Sequence, residues 1–350
     1  MTAVAAVWFA AGTVAAEGEG KVDGYWSLIH DQAVLADLKL TPQQLTAWRQ
    51  MLDPLDISFF PFRGKSAAEA TTALVEHTAL AKTQVAKILT AAQRERLDKL
   101  LARVEGTEAL LRDDFAASLK LTAEQRAEVK KLITDTRAAQ AKVNSDVIAA
   151  KLDEAAARKE LERLNKGEWD GVLKIVDREQ QGRWSGLIAN DFDAARLGQT
   201  RFKTPDLVAE PGAWVNGQPL SKEQLRGKVV IVHYFAFGCI NCIHNYPTYR
   251  KWQDELAGKN VMLVGIHTPE TQGEHNVETL KSKLKSEQLD FPVIVDNAKA
   301  NWQAWGNTMW PSVYVLDQEG YLRSFWAGEL HWQGRDGETV VRKQIDALLK

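Results

Sequence analysis

The sequence predicts two domains, an all-α helical repeat domain followed by an α/β fold with a mixed β-sheet. Three observations carry that reading. Composition shifts near residue 200, from Ala, Leu, Glu, Lys, Arg and Gln with few Pro or Gly to β-branched and aromatic runs. The form Leu-Thr-x-x-Gln recurs through the first part. In the second part strand and helix patterns alternate and close on a hairpin and a terminal helix.

At 350 residues the chain is long for one domain and comfortable for two. A net charge of −2 offers no basic field for nucleic acid. A 45% hydrophobic fraction is enough for a sizeable core. Beyond residue 16 no apolar run approaches the roughly 18 residues of a membrane span, so none is expected in the mature chain. Met1 to Ala16 carries no charge and ends in Val14-Ala15-Ala16, small residues suited to signal-peptidase cleavage. This predicts a signal peptide at 1–16 and a periplasmic or other extracytoplasmic setting. A positive n-region is missing, so a start upstream of Met1 and a buried first helix stay open as alternatives. No cysteine lies near enough for a lipoprotein anchor.

The helical domain is expected over 17–190, and 191–206, with Gly198 and Pro205, reads as a linker. The repeat occurs at Leu40-Thr41-Pro42-Gln43-Gln44, Leu89-Thr90-Ala91-Ala92-Gln93 and Leu121-Thr122-Ala123-Glu124-Gln125, with a degenerate copy at Val176-Asp177-Arg178-Glu179-Gln180. Each has the form of a capping box, in which Thr or Asp accepts from the N3 amide and Gln reaches back to the N-cap amide. Pro42 falls at the first helical position, where its missing donor costs nothing. Each copy therefore starts a helix. No Gly or Pro interrupts Thr122 to Gly167, which predicts a long helix broken near Asn144-Ser145-Asp146 and folding back at Gly167. Thr41 and Thr90 would bracket a shorter version of the same unit. The repeats resemble those of the Spy/CpxP family of helical periplasmic proteins, some of which act as chaperones or signalling partners. Structural punctuation alone is the competing reading.

The second domain, 207–350, opens on Trp214 to Pro219, where Asn216-Gly217 signals a type I′ hairpin. Strands are expected at 229–234, 261–266 and 291–295, with a hairpin formed by 312–316 and 321–326 around Glu319-Gly320. Helices are expected from the cysteine pair to about Leu256, over about 274–287, and over 340–349.

Cys239 and Cys242 are the only cysteines, in Gly238-Cys239-Ile240-Asn241-Cys242 directly after an apolar strand. A Cys-x-x-Cys opening a helix suits thiol–disulfide exchange, because the helix N-terminus favours the nucleophilic thiolate. A zinc site would need a second ligand pair, and no other cysteines exist among seven scattered histidines. A purely structural disulfide would close a very small loop and constrain little.

The order of elements resembles the thioredoxin fold, and more closely its TlpA/ResA-like thiol:disulfide oxidoreductase branch. The matching residues are Gly227-Lys228-Val229-Val230, the Cys239–Cys242 pair, Pro247, His267-Thr268-Pro269-Glu270 and Trp310-Pro311, with an inserted helix and strand between 270 and 296. The resemblance covers about residues 200 to 350. It implies an extracytoplasmic enzyme that reduces or isomerises protein disulfides, with Cys239 exchanging and Cys242 resolving the mixed disulfide. Protein thiols or disulfides and an electron-donor protein would be its partners. No cofactor or metal is implied, since the cysteines carry the electrons. It also implies that Pro311 is cis and faces the cysteines, with Trp310 either part of the substrate platform or simply packing. His233 stands where thioredoxins proper keep a buried Asp, and reads as a satisfied core histidine or a proton-transfer group. Glu270 is a second proton-transfer candidate. Asn245 replaces a Glu of several ResA-like reductases, and His244 reads as solvated. The Ile240-Asn241 dipeptide matches neither thioredoxin nor strong oxidants.

Other classes fit less well. A peroxiredoxin-type peroxidase would need Thr and Pro where Ala236 and Val232 stand, and a copper-delivery protein of the Sco type needs a longer cysteine spacing. The alternative that remains is a client- or partner-binding, chaperone-like helical protein in which the redox domain is secondary.

Overall fold

The computed structural model describes residues 24–149, 151–332 and 334–350, and the expected signal peptide lies outside the described residues. Helices come first: α1 (Gly24–His30), α2 (Gln32–Asp37), α3 (Pro42–Phe59), α4 (Ala67–Ile88), α5 (Ala91–Glu105), α6 (Asp113–Leu119), α7 (Ala123–Ile148), α8 (Glu154–Ile175) and α9 (Arg178–Leu187). All four Leu-Thr-x-x-Gln-type copies form capping boxes, at the starts of α3, α5, α7 and α9. The glutamine of two copies does a second job. Gln44 Nε2 donates to the Ile88 carbonyl at 2.9 Å, and Gln125 Nε2 donates to the Ile175 carbonyl at 2.8 Å. In each case the start of one helix is clipped to the end of the next, so α3–α4 and α7–α8 are two versions of one helical hairpin.

The α7–α8 hairpin turns just after the expected break and well before the expected fold-back at Gly167. Both Asn144-Ser145-Asp146 and Gly167 are helical, and the break falls at 149–153. Lys151 N donates to the Asp146 carbonyl at 2.8 Å, and Asp153 then caps α8 by accepting from Ala156 N at 2.8 Å. A charged N-cap with Ala at N3 satisfies the first-turn donors without the repeat's glutamine.

The sheet part follows: β1 (Phe202–Lys203), β2 (Trp214–Val215), α10 (Lys222–Leu225), β3 (Val229–Phe235), α11 (Ile240–Glu255), β4 (Val261–His267), α12 (Val277–Ser286) and β5 (Val293–Val295). It ends with α13 (Ala300–Ala304), β6 (Ser312–Leu316), β7 (Tyr321–Ala327), β8 (His331–Trp332), β9 (Arg335–Asp336) and α14 (Gly337–Leu348). The main sheet has seven strands in the order β1-β7-β6-β3-β4-β5-β2. It is mixed, because β3, β4 and β5 run parallel while β6 pairs antiparallel with both β3 and β7. The Asn216-Gly217 hairpin does not form. Trp214–Val215 pairs antiparallel with β5 instead, and the Asn216 amide donates to the carbonyls of Leu289 and Phe291. Both residues do take positive φ. The turn chemistry was legible, but the strand's partner lies far along the chain.

Chain contacts divide the molecule into two compact units, with one break at Leu89/Thr90 and the other at Ala195/Arg196, inside the expected linker. One unit comprises the described residues up to Leu89 together with Arg196–Lys350, the other Thr90–Ala195. The expected linker also supplies a bridge between Thr200 and Asp31 and the edge strand β1 on β7. Asp31 Oδ2 accepts from Gly198 N at 2.7 Å, and Asp56 Oδ2 accepts from Lys203 N at 2.8 Å. Carboxylates of the first helices thus satisfy the backbone of the segment that enters the sheet.

Central strand β3 is buried along its whole length. Its alternation divides the core, as a period of two requires. Val229, Ile231 and Phe235 face a cluster with Cys239, Cys242, Trp252 and Ile345, while Val230, Val232 and Tyr234 face one with Phe60, Trp305 and Tyr314. The second unit has its own core, including Val129, Ile133, Val172 and Trp184.

Candidate active site

The site forms where β3 stops. Phe235 is its last residue, Cys239 N donates to the Ala236 carbonyl at 3.2 Å, and Cys239 is the N-cap of α11. Helical spacing then turns Cys242, Tyr246, Tyr249 and Trp252 into the core beneath the sheet. Both cysteines are free thiols. Cys239 keeps 8% of its surface exposed and Cys242 none. Beside them Ile240 is 61% exposed, an apolar side chain presented at the site's surface.

The two sulfurs are electrostatically unlike. Cys239 is lowered from an ordinary value near 9 to about 7. The Cys242 thiol, hydrogen-bonded to its sulfur, is the largest cause, and the amides of Cys242 and Asn241 add to it against burial and the Glu270 carboxylate. Cys242 is pushed far up, first by burial and then by its role as donor to Cys239. One sulfur is thus a nucleophile near neutral pH and the other a held thiol. In the reduced protein, alkylation should be confined to Cys239. Its rate should rise with pH through a midpoint near 7, since the thiolate fraction grows as pH climbs past the pKa. Glu270→Gln removes an opposing negative charge and should move that midpoint to the acid side. A midpoint near 9, or equal labelling of both cysteines, would contradict this geometry.

The other sequence candidates divide. Glu270 is exposed, and its charge reaches both sulfurs. Trp310 packs against the cysteine cluster, and the Trp310-Pro311 bond is cis. The Trp310 ring also stacks on Trp302, with centroids 3.9 Å apart, and donates to the Thr268 carbonyl at 2.9 Å. His233 is in the core but not satisfied. It lies among Phe235, Tyr249 and Phe291, and neither ring nitrogen has a partner among the described residues. Burial lowers it to about 3, so it is neutral at physiological pH. His267, stacked on Phe237, is likewise unpartnered among the described residues and lowered by burial to about 4. Asn245 closes a loop rather than moving a proton: its Oδ1 accepts from Leu330 N at 2.8 Å and its amide donates to Tyr249 at 3.3 Å. His244 pairs with Glu329 at 2.9 Å.

One residue escaped sequence reasoning. Glu274 is buried beside the cysteine turn and accepts from the Gly238 amide at 2.7 Å. Its signal was present, since Thr271-Gln272-Gly273-Glu274 has capping-box form and makes one.

Known proteins resemble the sheet-bearing part of the chain. Residues 201–325 match the AhpC/TSA family. Thiol-disulfide oxidoreductase YkuV of Bacillus subtilis is 30% identical over 150 residues, which cover 43% of this chain and 95% of YkuV. The chain belongs, through its sheet-bearing part, to the thioredoxin-like family of thiol-disulfide oxidoreductases. Protein DipZ of Mycobacterium bovis is 29% identical over 162 residues, 45% of this chain but only 23% of DipZ, so the chain spans about a quarter of that relative's length. A solved thiol-disulfide isomerase from Corynebacterium glutamicum is 26% identical with a TM-score of 0.36, covering 42% of this chain and 97% of the isomerase.

Proposed function

We propose that this chain catalyses thiol–disulfide exchange on protein substrates outside the cytoplasm, as a reductase or isomerase. The observation that carries the reading is the asymmetric pair at the start of α11, a thiolate-prone Cys239 that keeps a little exposed surface and a fully enclosed, protonated Cys242 behind it. The Cys239 thiolate attacks one sulfur of a substrate disulfide. That S–S bond breaks, the departing sulfur takes a proton, and a mixed disulfide remains on Cys239. Cys242 then gives up its proton and attacks Cys239, expelling the second substrate thiol and leaving a Cys239–Cys242 disulfide. Two electrons have passed to the substrate, and an electron-donor protein must return them. Trp310 and Pro311 supply the wall against which the substrate segment lies. Glu270, exposed and electrostatically coupled to both sulfurs, is the candidate for accepting the Cys242 proton. The uncharged, apolar opening Met1 to Ala16 supports export.

The direction of exchange follows from what supports the thiolate. Strong oxidants stabilise the reduced thiolate further, which raises the potential of the disulfide. Here the support is one thiol and backbone amides, with His233 and His267 neutral. Equilibration of the full chain with glutathione should give a potential roughly between −200 and −270 mV. Insulin-disulfide reduction should accompany it. A value near about −120 mV would make the protein an oxidant and overturn this reading.

A further inference from the structure

Glu274 is 4% exposed, yet its carboxylate is fully engaged. Oε1 accepts from the Gly238 amide at 2.7 Å. Oε2 accepts from the amides of Glu270 at 2.8 Å and Thr271 at 2.7 Å, and from the Thr271 hydroxyl at 3.2 Å. These donors come from two loops. One ends β3 and carries Cys239, and the other follows β4 and carries Glu270. Burial would raise the acid's pKa, but the backbone donors outweigh it and hold the group below its usual value, so it is ionised. Every group that approaches it donates. An ionised carboxylate accepts at both oxygens, whereas a glutamine would turn an NH2 toward one set of these N–H groups. The seat is also tight, since a Cβ at Gly238 would lie 2.8 Å from Oε1.

We propose that Glu274 is a positioning residue of the redox site, tying the Gly238–Cys239 turn to the Glu270–Thr271 loop so that the first amides of α11 stay aimed at the Cys239 sulfur. This rests on the exchange reading above and deepens it. The tie fixes both influences on the nucleophile, the amides that favour its thiolate and the Glu270 charge that opposes it. The remaining titratable neighbours are His267, which faces Glu274 and is neutral above about pH 4, and His275 beside it. Without the tie the turn gains freedom and the sulfur loses its aligned donors, leaving Cys239 closer to an ordinary thiol.

The test uses the reduced full chain, with iodoacetamide labelling of Cys239 followed across pH and the potential read against glutathione. Glu274→Gln should raise the labelling midpoint from near 7 toward the ordinary thiol value of about 8.5 and make the potential more negative. A midpoint one pH unit higher would cut the thiolate present at pH 7 about fivefold, and the exchange rate with it. Gly238→Ala, which leaves the carboxylate in place but crowds it off the Gly238 amide, should move both readouts the same way. Circular dichroism establishes that each variant is folded, and if Glu274→Gln does not fold, Gly238→Ala decides by the same criteria. A midpoint that stays near 7 in the folded variants overturns the proposal. So does one that falls, which would mean that the lost charge matters and the tie does not. A wild-type chain that labels normally but fails to reduce insulin would instead sink the exchange reading, with the midpoints still telling whether Glu274 positions Cys239.

Discussion

Cys242→Ser should stop the reaction halfway, with a substrate protein held covalently on Cys239, whereas Cys239→Ser should trap nothing. Turnover in both should fall by at least about a thousandfold, because each removes a sulfur on which the two-step exchange depends. The asymmetry of trapping is the sharper result. Only Cys239 has surface for an incoming disulfide and a thiolate near neutral pH, while Cys242 is enclosed and held protonated. A serine at 242 keeps a hydroxyl that can donate to the Cys239 sulfur, so the trapping variant should still label at Cys239 at pH 7. Non-reducing gels with mass spectrometry of the adduct would read the outcome. Equal trapping by both variants would mean that the sulfurs share the attack, and the division of labour would fall.

What could be read from the sequence was whatever is encoded locally. Thr41, Thr90, Thr122 and Asp177 each cap a helix through a residue three positions on, and all four boxes form. The strand–cysteine–helix junction is equally local, and it formed as read. Errors arose where a local signal was spelled differently or a partner was remote. Asp153 caps α8 without the repeat's Leu-Thr-x-x-Gln spelling, so the fold-back was placed at Gly167, inside α8. Asn216-Gly217 took the positive φ that its residues favour, but Val215 paired with Val293 rather than with the residues just after the turn. Glu274 was read only as the approximate start of a helix, whereas its bond to Gly238 spans 36 residues. Composition also left out the sheet's helical partners, since the described residues up to Leu89 group with Arg196–Lys350. A shift in composition marks where helices give way to strands, and it carries no information about which helices the strands pack against.

That grouping leads to the second large effect. Residues 201–350, which composition marks as a self-contained domain, should not fold stably alone. The turn Phe60–Gly64 lays Phe60 against Trp305, with ring centroids 5.7 Å apart, in the core of the sheet face opposite the cysteine cluster. Arg63 follows it across the same face. Its guanidinium lies 4.6 Å from the Phe325 ring centre and 5.4 Å from that of Tyr314, and donates to the Trp305 carbonyl at 3.3 Å. Asp53 accepts from the Tyr321 hydroxyl at 2.9 Å, and Asp56 takes the Lys203 amide. Removing residues up to Leu89 would therefore expose apolar surface on β3 and β6 and leave a buried tyrosine and a strand amide without acceptors. Losing a buried aromatic side chain typically costs about 3–5 kcal/mol, which is comparable with much of a domain's stability. The fragment should accumulate insoluble or melt without cooperativity. Phe60→Ala in the full chain should cost the same about 3–5 kcal/mol in urea unfolding followed through the sheet's tryptophans. Because β3 carries the Cys239 turn on its other face, exchange activity should be lost at lower urea in that variant, in step with the sheet. A 201–350 fragment that melts cooperatively and reduces insulin at the full-length rate would make residues 24–89 dispensable to the redox fold.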